Sequence, residues 1–141
     1  MNTITMDVLV KRVSFNATPD VDELLKGLTG AQLVRPECVF SRNHVIICVE
    51  QTLKAFRNGS NIARAPEIEF LIRITGERQI KAALKAASVK KEAVFVSWNE
   101  DAEKQYASLK RSFPLKERQL EARTDDEVKQ AIERSATFFI R

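Results

Sequence analysis

The apolar residues of this chain change their spacing repeatedly, and this alternation limits the folds that the chain can adopt. Between Asn43 and Arg57 they recur every three to four residues, which is the period of a helix with one buried side. From Ala93 to Trp98 they form an almost continuous run, which indicates a buried strand. Because helix-like and strand-like segments alternate, we expect an α+β fold with a single mixed or antiparallel sheet packed with helices.

Two further segments have the composition of strands. Residues 6–13 are apolar and β-branched, and residues 67–75 place apolar side chains at every second position. Pro36 interrupts a third apolar segment, and because proline has no amide donor it limits this segment to an edge or a broken strand. Gly76 directly follows the second segment, and we expect it to turn the chain into a helix over residues 77–88.

Short polar residues stand where the expected helices begin. Thr124 and Glu127 have the spacing of a capping box, in which each residue bonds the backbone amide of the other. The apolar tail over residues 136–141 is expected to form a last strand or a docked end. The other predicted boundaries are Thr18, Ser41 or Asn43, and Asn99 at helix starts, and Asn58-Gly59 at the end of the long helix.

The length of 141 residues fits one domain over residues 1–141, with a hydrophobic core that needs neither disulfides nor metal. Cys38 and Cys48 lie in apolar runs, where a thiol acts as a small buried apolar group rather than as a zinc ligand. No apolar stretch approaches the roughly 18 residues that span a bilayer, and the first residues lack a secretory pattern. We therefore expect a cytoplasmic protein without membrane contact, metal or cofactor.

The positive charge of the chain is concentrated in its middle third. Residues 54–91 hold nine basic and three acidic side chains, a net charge of +6, whereas residues 1–53 and 92–141 each have a net charge of −1. Clustered lysines and arginines produce the field that attracts phosphates. A solvated lysine-rich surface gives the same pattern, so charge alone leaves a nucleic-acid partner open.

The segment around Gly76 is the strongest candidate for a binding site. A strand that ends at Gly76 and passes directly into a helix would point several backbone N–H groups at one place, where phosphate or carboxylate binds. Arg78 and Gln79 in the first turn could add a planar cation and an amide. An internal ion pair between Arg78 and an acidic neighbour such as Glu69 or Glu77 explains the same residues equally well.

His44 is the single histidine, so a catalytic triad or a two-histidine metal site would have to be built around it alone. A structural role at the start of the long helix is the favoured interpretation. The four glycines form no phosphate-binding loop, and no nucleophile motif is present. We assign no catalytic residue and no metal ligand. Arg64, in the loop after the long helix, is either a second cation for an anionic partner or an ordinary surface arginine.

Four segments have a distinctive order and spacing when they are taken together, namely His44 to Phe56, Asn58 to Arg64, Glu69, and Gly76 to Ile80. They resemble the core of the TPRKB family, the kinase-binding regulatory subunit of the KEOPS complex. The chain departs from the family pattern at Thr52, at Ala65-Pro66, and from Lys104 onward.

The resemblance implies a protein without an active site of its own. KEOPS makes threonylcarbamoyladenosine in transfer RNA, and in that family the subunit binds and stimulates the kinase-like subunit and holds transfer RNA by its CCA 3′ end. The implied partners are therefore the kinase-like subunit of the KEOPS complex and tRNA. The residues expected to face the nucleic acid are His44, Arg64, Gly76, Arg78 and Gln79, with Lys81 and Lys85 adding non-specific attraction.

Two other functions remain open from the residues. A small enzyme acting on a phosphorylated metabolite at the Gly76 turn would depend on His44 and would not bind RNA. An adaptor that binds only protein would not need Arg78.

Overall fold

The computed structural model describes residues 7–121 and 123–136, and helices and strands alternate along them. In chain order these elements are β1 Leu9–Phe15, α1 Val21–Leu25, β2 Ala31–Val34, α2 Arg42–Asn58, α3 Pro66–Thr75, α4 Ile80–Ala86, β3 Glu92–Ser97, α5 Ala102–Ser112, β4 Leu115–Arg118 and α6 Asp125–Ala136. One turn of 3₁₀ helix, Pro36–Cys38, follows β2.

The strands form one antiparallel sheet in the order β2-β3-β1-β4. Strand β3 therefore lies inside the sheet, where Val94 pairs with Arg12 on β1 and with Val34 on β2. This arrangement confirms the prediction of an α+β fold with a single sheet packed with helices.

Helices cover both faces of this sheet, and this explains why residues 93–96 of β3 are all apolar. Val94 and Val96 pack in a core with residues of α2, α3 and α4. Ala93 and Phe95 point to the opposite face, where they pack with residues of α1 and α5. Side chains of a strand alternate between the two faces, so a strand covered on both sides must be apolar at successive positions.

The prediction of a strand over residues 67–75 is wrong, because Pro66–Thr75 forms the helix α3. Its residues 69–74 are all buried, so the helix is apolar on nearly every side and loses the helical spacing that identifies a surface helix. Pro66 occupies the first helical position, where a missing N–H costs nothing. Glu69 and Arg73 of this segment are four residues apart and form an ion pair along the helix.

Helix α4 begins at Ile80 and ends at Ala86, so the predicted helix over residues 77–88 is three residues too long at its start. Gly76 explains the difference. It adopts a left-handed conformation with φ 74°, and its N–H donates to the carbonyl of Ile72, which ends α3. The next three residues then connect α3 to α4.

The predicted start and end of α2 and the predicted start of α6 are confirmed, and each depends on bonds between residues that are close in the chain. The Ser41 hydroxyl accepts the N–H of His44 and starts α2, and Gly59 ends α2 with φ 72°. Thr124 and Glu127 bond each other's backbone amides before α6, as a capping box requires.

Other boundaries differ from the predictions. Asp20 caps α1, because its carboxylate accepts the N–H of Glu23, whereas Thr18 lies outside the helix. Asn99 organises the turn before α5 by accepting the N–H of Asp101, so that α5 starts at Ala102. Strand β4, which is short and largely exposed, was not predicted. The predicted last strand or docked end falls mostly on residues 137–141, which lie outside the described residues.

Candidate nucleic-acid interface

Helix α3 separates the predicted nucleic-acid residues into two groups. Arg64 precedes the helix, whereas Gly76, Arg78 and Gln79 follow it. A helix of 10 residues is about 15 Å long, so the backbones of these two groups lie near opposite ends of α3. Lys81 and Lys85 are exposed on α4.

Gly76 does not stand at the start of a helix, so the predicted cradle of backbone N–H groups is wrong. It ends α3, and the end of a helix presents carbonyl groups with a partial negative charge. The next helix starts four residues later and has 7 residues. A nucleic acid would therefore be held here by side chains, and the exposed Arg78 and Gln79 are the ones that the connecting segment offers.

His44 lies buried in the first turn of α2, with 1% of its surface exposed. Its Nδ1 accepts the N–H of Phe40 at 3.2 Å, so the neutral ring carries its proton on Nε2. That Nε2 has no hydrogen-bond partner among the described residues. Burial, with a smaller effect of the Arg134 charge, lowers the pKa of His44 to about 4. His44 is thus neutral at pH 7 and fixes the backbone before α2.

Phe40 is the centre of a group of aromatic and cationic side chains that sequence reasoning missed. The guanidinium carbon of Arg123 lies 4.7 Å from the centre of its ring, and that of Arg134 lies 5.8 Å away. The ring of His44 meets the Phe40 ring edge-on, with 5.4 Å between centres. A Cβ placed on Gly76 would lie 3.5 Å from Nε of Arg134. We call Phe40, His44, Gly76, Arg123 and Arg134 the arginine–aromatic cluster.

The arginine–aromatic cluster brings together two predicted residues, His44 and Gly76, from α2 and the end of α3. Arg134 of α6 joins them. Guanidinium planes and aromatic rings are the groups that bind phosphates and bases of single-stranded RNA. No local sequence signal identifies Arg123 or Arg134, because their contacts with Phe40 join segments more than 80 residues apart.

The loop that carries Arg64 is fixed by Glu69. Oε1 of Glu69 accepts the N–H groups of Ile62 and Ala63 at 2.8 and 2.7 Å. Its Oε2 accepts two N–H groups of Arg73. The carboxylate of Glu69 is therefore engaged with α3 and with this loop, and it anchors the backbone next to the exposed Arg64.

Other kinds of site are not seen in the part of the chain that the structure describes. It holds no group of three or more side chains suited to a metal ion. None of its helices is both long and apolar enough to cross a bilayer. Cys38 and Cys48 are free thiols, and burial raises the pKa of both.

The described residues thus define a small α+β protein with exposed cations near both ends of one buried helix. No model of a known protein family matches the chain. Among curated proteins it is similar to the KEOPS complex subunit Cgi121 of Pyrococcus abyssi (strain GE5 / Orsay), with 32% identity over 108 residues. The match covers 74% of this chain and 61% of the relative, so the chain spans about three fifths of the relative's length. The similarity supports a relationship to a KEOPS-subunit family.

Proposed function

We propose that this protein belongs to the TPRKB family and is a non-catalytic regulatory subunit of a KEOPS complex. In this proposal it binds and stimulates the kinase-like subunit, and it binds tRNA at the CCA 3′ end for threonylcarbamoyladenosine modification. The observation that carries the proposal is the similarity to the Cgi121 subunit over 74% of the chain. We propose that residues 1–141 act as one domain, in the cytoplasm.

The distribution of exposed side chains supports the RNA half of this proposal. Arg64, Arg78, Gln79, Lys81 and Lys85 are all exposed. Lysines and arginines bind phosphates, and flat guanidinium or aromatic groups lie against unstacked bases, which is how proteins hold single-stranded ends. The arginine–aromatic cluster adds such flat groups near Gly76.

An adaptor that binds only protein is the second candidate. Exposed large apolar side chains favour it, because Ile62, Ile80 and Leu84 are each between 39% and 45% exposed. The third candidate, an enzyme for a phosphorylated metabolite, depended on backbone amides at Gly76. Since Gly76 ends a helix instead of starting one, the geometry that motivated this candidate is absent.

Replacing Arg78 by alanine tests the RNA half. We expect Arg78→Ala to weaken tRNA binding by roughly 1–3 kcal/mol, with affinity that falls steeply as salt rises. Arg111→Ala is the matched control, because it removes the same charge from an exposed position on α5, on the other face of the sheet. Binding is measured with tRNA that carries or lacks the CCA end, and equal affinity for both would contradict end recognition.

Binding and stimulation of the kinase-like subunit are tested by a separate measurement. We expect the protein to co-elute with a KEOPS kinase-like subunit and to raise its activity. Arg78→Glu separates the first two candidates, since it should reduce tRNA modification by the assembled complex if the protein binds RNA. Full modification with this variant would indicate the adaptor instead.

A further inference from the structure

A basic cleft lies at the end of the sheet where β2 ends and β3 begins, and none of the predicted nucleic-acid residues lines it. Its volume is about 290 Å³, and it is lined by Arg12, Arg35, Pro36, Glu37, Lys90, Lys91 and Glu92. The lining contains four cations and two carboxylates, which gives a formal excess of two positive charges. We call these seven residues the basic cleft.

Arg35 is held in a fixed orientation within the basic cleft. Its Nε donates to the carbonyl of Ser88 at 2.9 Å, and its Nη2 donates to the Ser88 hydroxyl at 2.8 Å. It forms no ion pair within the described residues. A guanidinium has five N–H donors, so several remain for an acceptor in the cleft, and little side-chain entropy is left to lose when one binds.

The segment that carries Lys90 and Lys91 is anchored too. The carbonyl of Lys91 accepts the N–H of Phe15, which ties this segment to β1. Both lysine side chains are exposed, and neither has an ion pair in the regions that the structure describes. The anchored backbone and the unpaired charges of these two lysines together favour the binding of an anion here.

The carboxylates of the basic cleft neutralise it only in part. Glu92 is occupied by Arg12, which donates to its Oε1 from Nε and Nη2 at 3.1 and 2.8 Å. Glu37 is therefore the one carboxylate of the cleft lining left to balance the charges of Arg35, Lys90 and Lys91. The positive field of the cleft comes from these three side chains.

A smaller pocket links the basic cleft to the arginine–aromatic cluster. It shares Arg12, Pro36 and Glu37 with the cleft, and it is also lined by Arg123, which lies against Phe40. Its charges balance, because Glu37 and Glu121 oppose Arg12 and Arg123. Arg12 is paired with Glu92 and Glu121, and Arg123 is paired with Glu127, so the net positive charge lies at the end that holds Arg35, Lys90 and Lys91. Several separate cations at this end suit the successive phosphates of a strand better than one small anion.

We propose that the basic cleft binds backbone phosphates of RNA, at a position separate from the residues expected to contact the CCA end. This inference rests on the RNA half of the proposed function and extends it. Contacts to phosphates carry no sequence information, so the cleft would add affinity and salt dependence without reading the 3′ end.

The test compares two double variants with the same change in charge. Lys90→Gln/Lys91→Gln alters the basic cleft, and Lys26→Gln/Lys104→Gln is the control, with two exposed lysines near α1 and α5 on the other face of the sheet. All four lysines are exposed, and equal urea midpoints would verify that both variants fold. Affinity for tRNA with and without the CCA end is measured over a series of salt concentrations.

We expect the cleft variant to lose affinity for both RNAs by the same factor. Loss of two phosphate contacts should make the slope of log affinity against log salt shallower by about 1.4–1.8. If the cleft variant and wild type bind equally at 1 M salt, this change corresponds to an affinity about 25–60-fold lower for the variant at 0.1 M salt. The control variant should keep the wild-type slope. Equal slopes for the two variants would overturn the inference.

The same data separate this inference from end recognition. If wild-type protein requires the CCA end and the cleft variant binds normally, RNA binding by the basic cleft is refuted and end recognition is supported. If wild-type protein binds both RNAs equally and only the cleft variant is weakened, end recognition is refuted and RNA binding by the basic cleft is supported. Wild-type protein that binds neither RNA would overturn both. Saturable binding of inorganic phosphate at Lys90 and Lys91, with unchanged RNA affinity, would indicate a site for free phosphate and also overturn the inference.

Discussion

Replacing Glu69 by glutamine would remove the charge from a carboxylate that is completely buried. This carboxylate accepts two backbone N–H groups from the loop before α3, and it accepts N–H groups from Nε and Nη2 of Arg73 at 3.2 and 2.8 Å. Arg73 is itself 1% exposed. Glutamine keeps the size of the side chain and one oxygen for the loop, but its NH₂ group then faces the guanidinium.

We expect Glu69→Gln to lower the free energy of unfolding by about 3–5 kcal/mol. This is the usual loss when one partner of a buried ion pair is removed, because the remaining charge is left in a medium that solvates it poorly. The loss is a large part of the total of about 5–15 kcal/mol that holds a domain folded.

Glu92→Gln is the matched control for this experiment. Glu92 accepts from Nε and Nη2 of Arg12 at 3.1 and 2.8 Å, nearly the same geometry as the Glu69–Arg73 pair, but its side chain is 47% exposed. An exposed pair contributes about 0–1 kcal/mol, so the difference between the two variants isolates the effect of burial. Urea unfolding followed by circular dichroism gives both values, provided that the slope with urea stays constant.

A double variant completes the argument. Glu69→Gln/Arg73→Gln removes both charges, and its loss should be smaller than the sum of the two single losses. If Glu69→Gln and Glu92→Gln cost the same small amount at unchanged slope, then the charge of Glu69 does not stabilise the fold, and the reasoning from burial is wrong.

Three further predictions concern single side chains. Because the pKa of His44 falls to about 4 from an ordinary 6.5, the unfolded chain binds a proton at His44 more readily than the folded one, so stability should fall by up to about 3 kcal/mol as pH decreases from 6.5 to 4. Urea unfolding at pH 4.5 and 7.5 should show a larger loss of stability for wild type than for His44→Gln. Thr124→Ala should lose about 1 kcal/mol with its capping box, whereas Thr18→Ala, outside any cap, should change thermal stability little. Burial raises the pKa of Cys48 to about 12, so Cys48 should be alkylated only in urea, which mass spectrometry of labelled peptides would detect.

The parts of the fold that sequence could predict are those governed by neighbouring residues. Ser41 and Gly59 define the ends of α2 through contacts within four or five positions, and Thr124 does the same for α6. The long helix also has one exposed side, so its apolar spacing is visible in the sequence. Strand β3 is recognisable for the opposite reason, since burial on both faces makes its residues 93–96 uniformly apolar.

Helix α3 could not be recognised in this way. Burial on nearly every side removes the polar positions that distinguish a helical period from alternation, and Ile, Phe and Thr favour strands. The spacing of Glu69 and Arg73 fits both readings, since residues four apart lie on one side of a helix and on one face of a strand. Packing against α2, α4 and α6 stabilises the helical form of this segment. That packing depends on residues far away in the chain, so the segment itself does not reveal it.

The same limit applies to the candidate interface. Its exposed basic residues are visible in the sequence as a concentration of charge. The positions Arg64, Arg78 and Gln79 follow from that charge and from the Gly76 turn, the family resemblance agrees with them, and their contact with RNA stays a prediction. The arginine–aromatic cluster and the basic cleft consist of residues from distant segments, which only the antiparallel sheet and the packing of α6 on α2 and α3 bring together. Charge counted along the sequence placed no emphasis on Arg123, Arg134 or Arg12, because each lies in a segment with a net charge of −1.

Both ends of α3 are fixed, and this constrains any RNA that binds there. Glu69 holds the loop before Arg64, and Gly76 at the other end lies against Arg134 of α6. A helix about 15 Å long spans about four nucleotides of a stacked strand at 3.4 Å each, so its two ends are suited to different phosphates. If both arginines bind RNA, we expect them to contact different phosphates, because their backbones lie near opposite ends of α3.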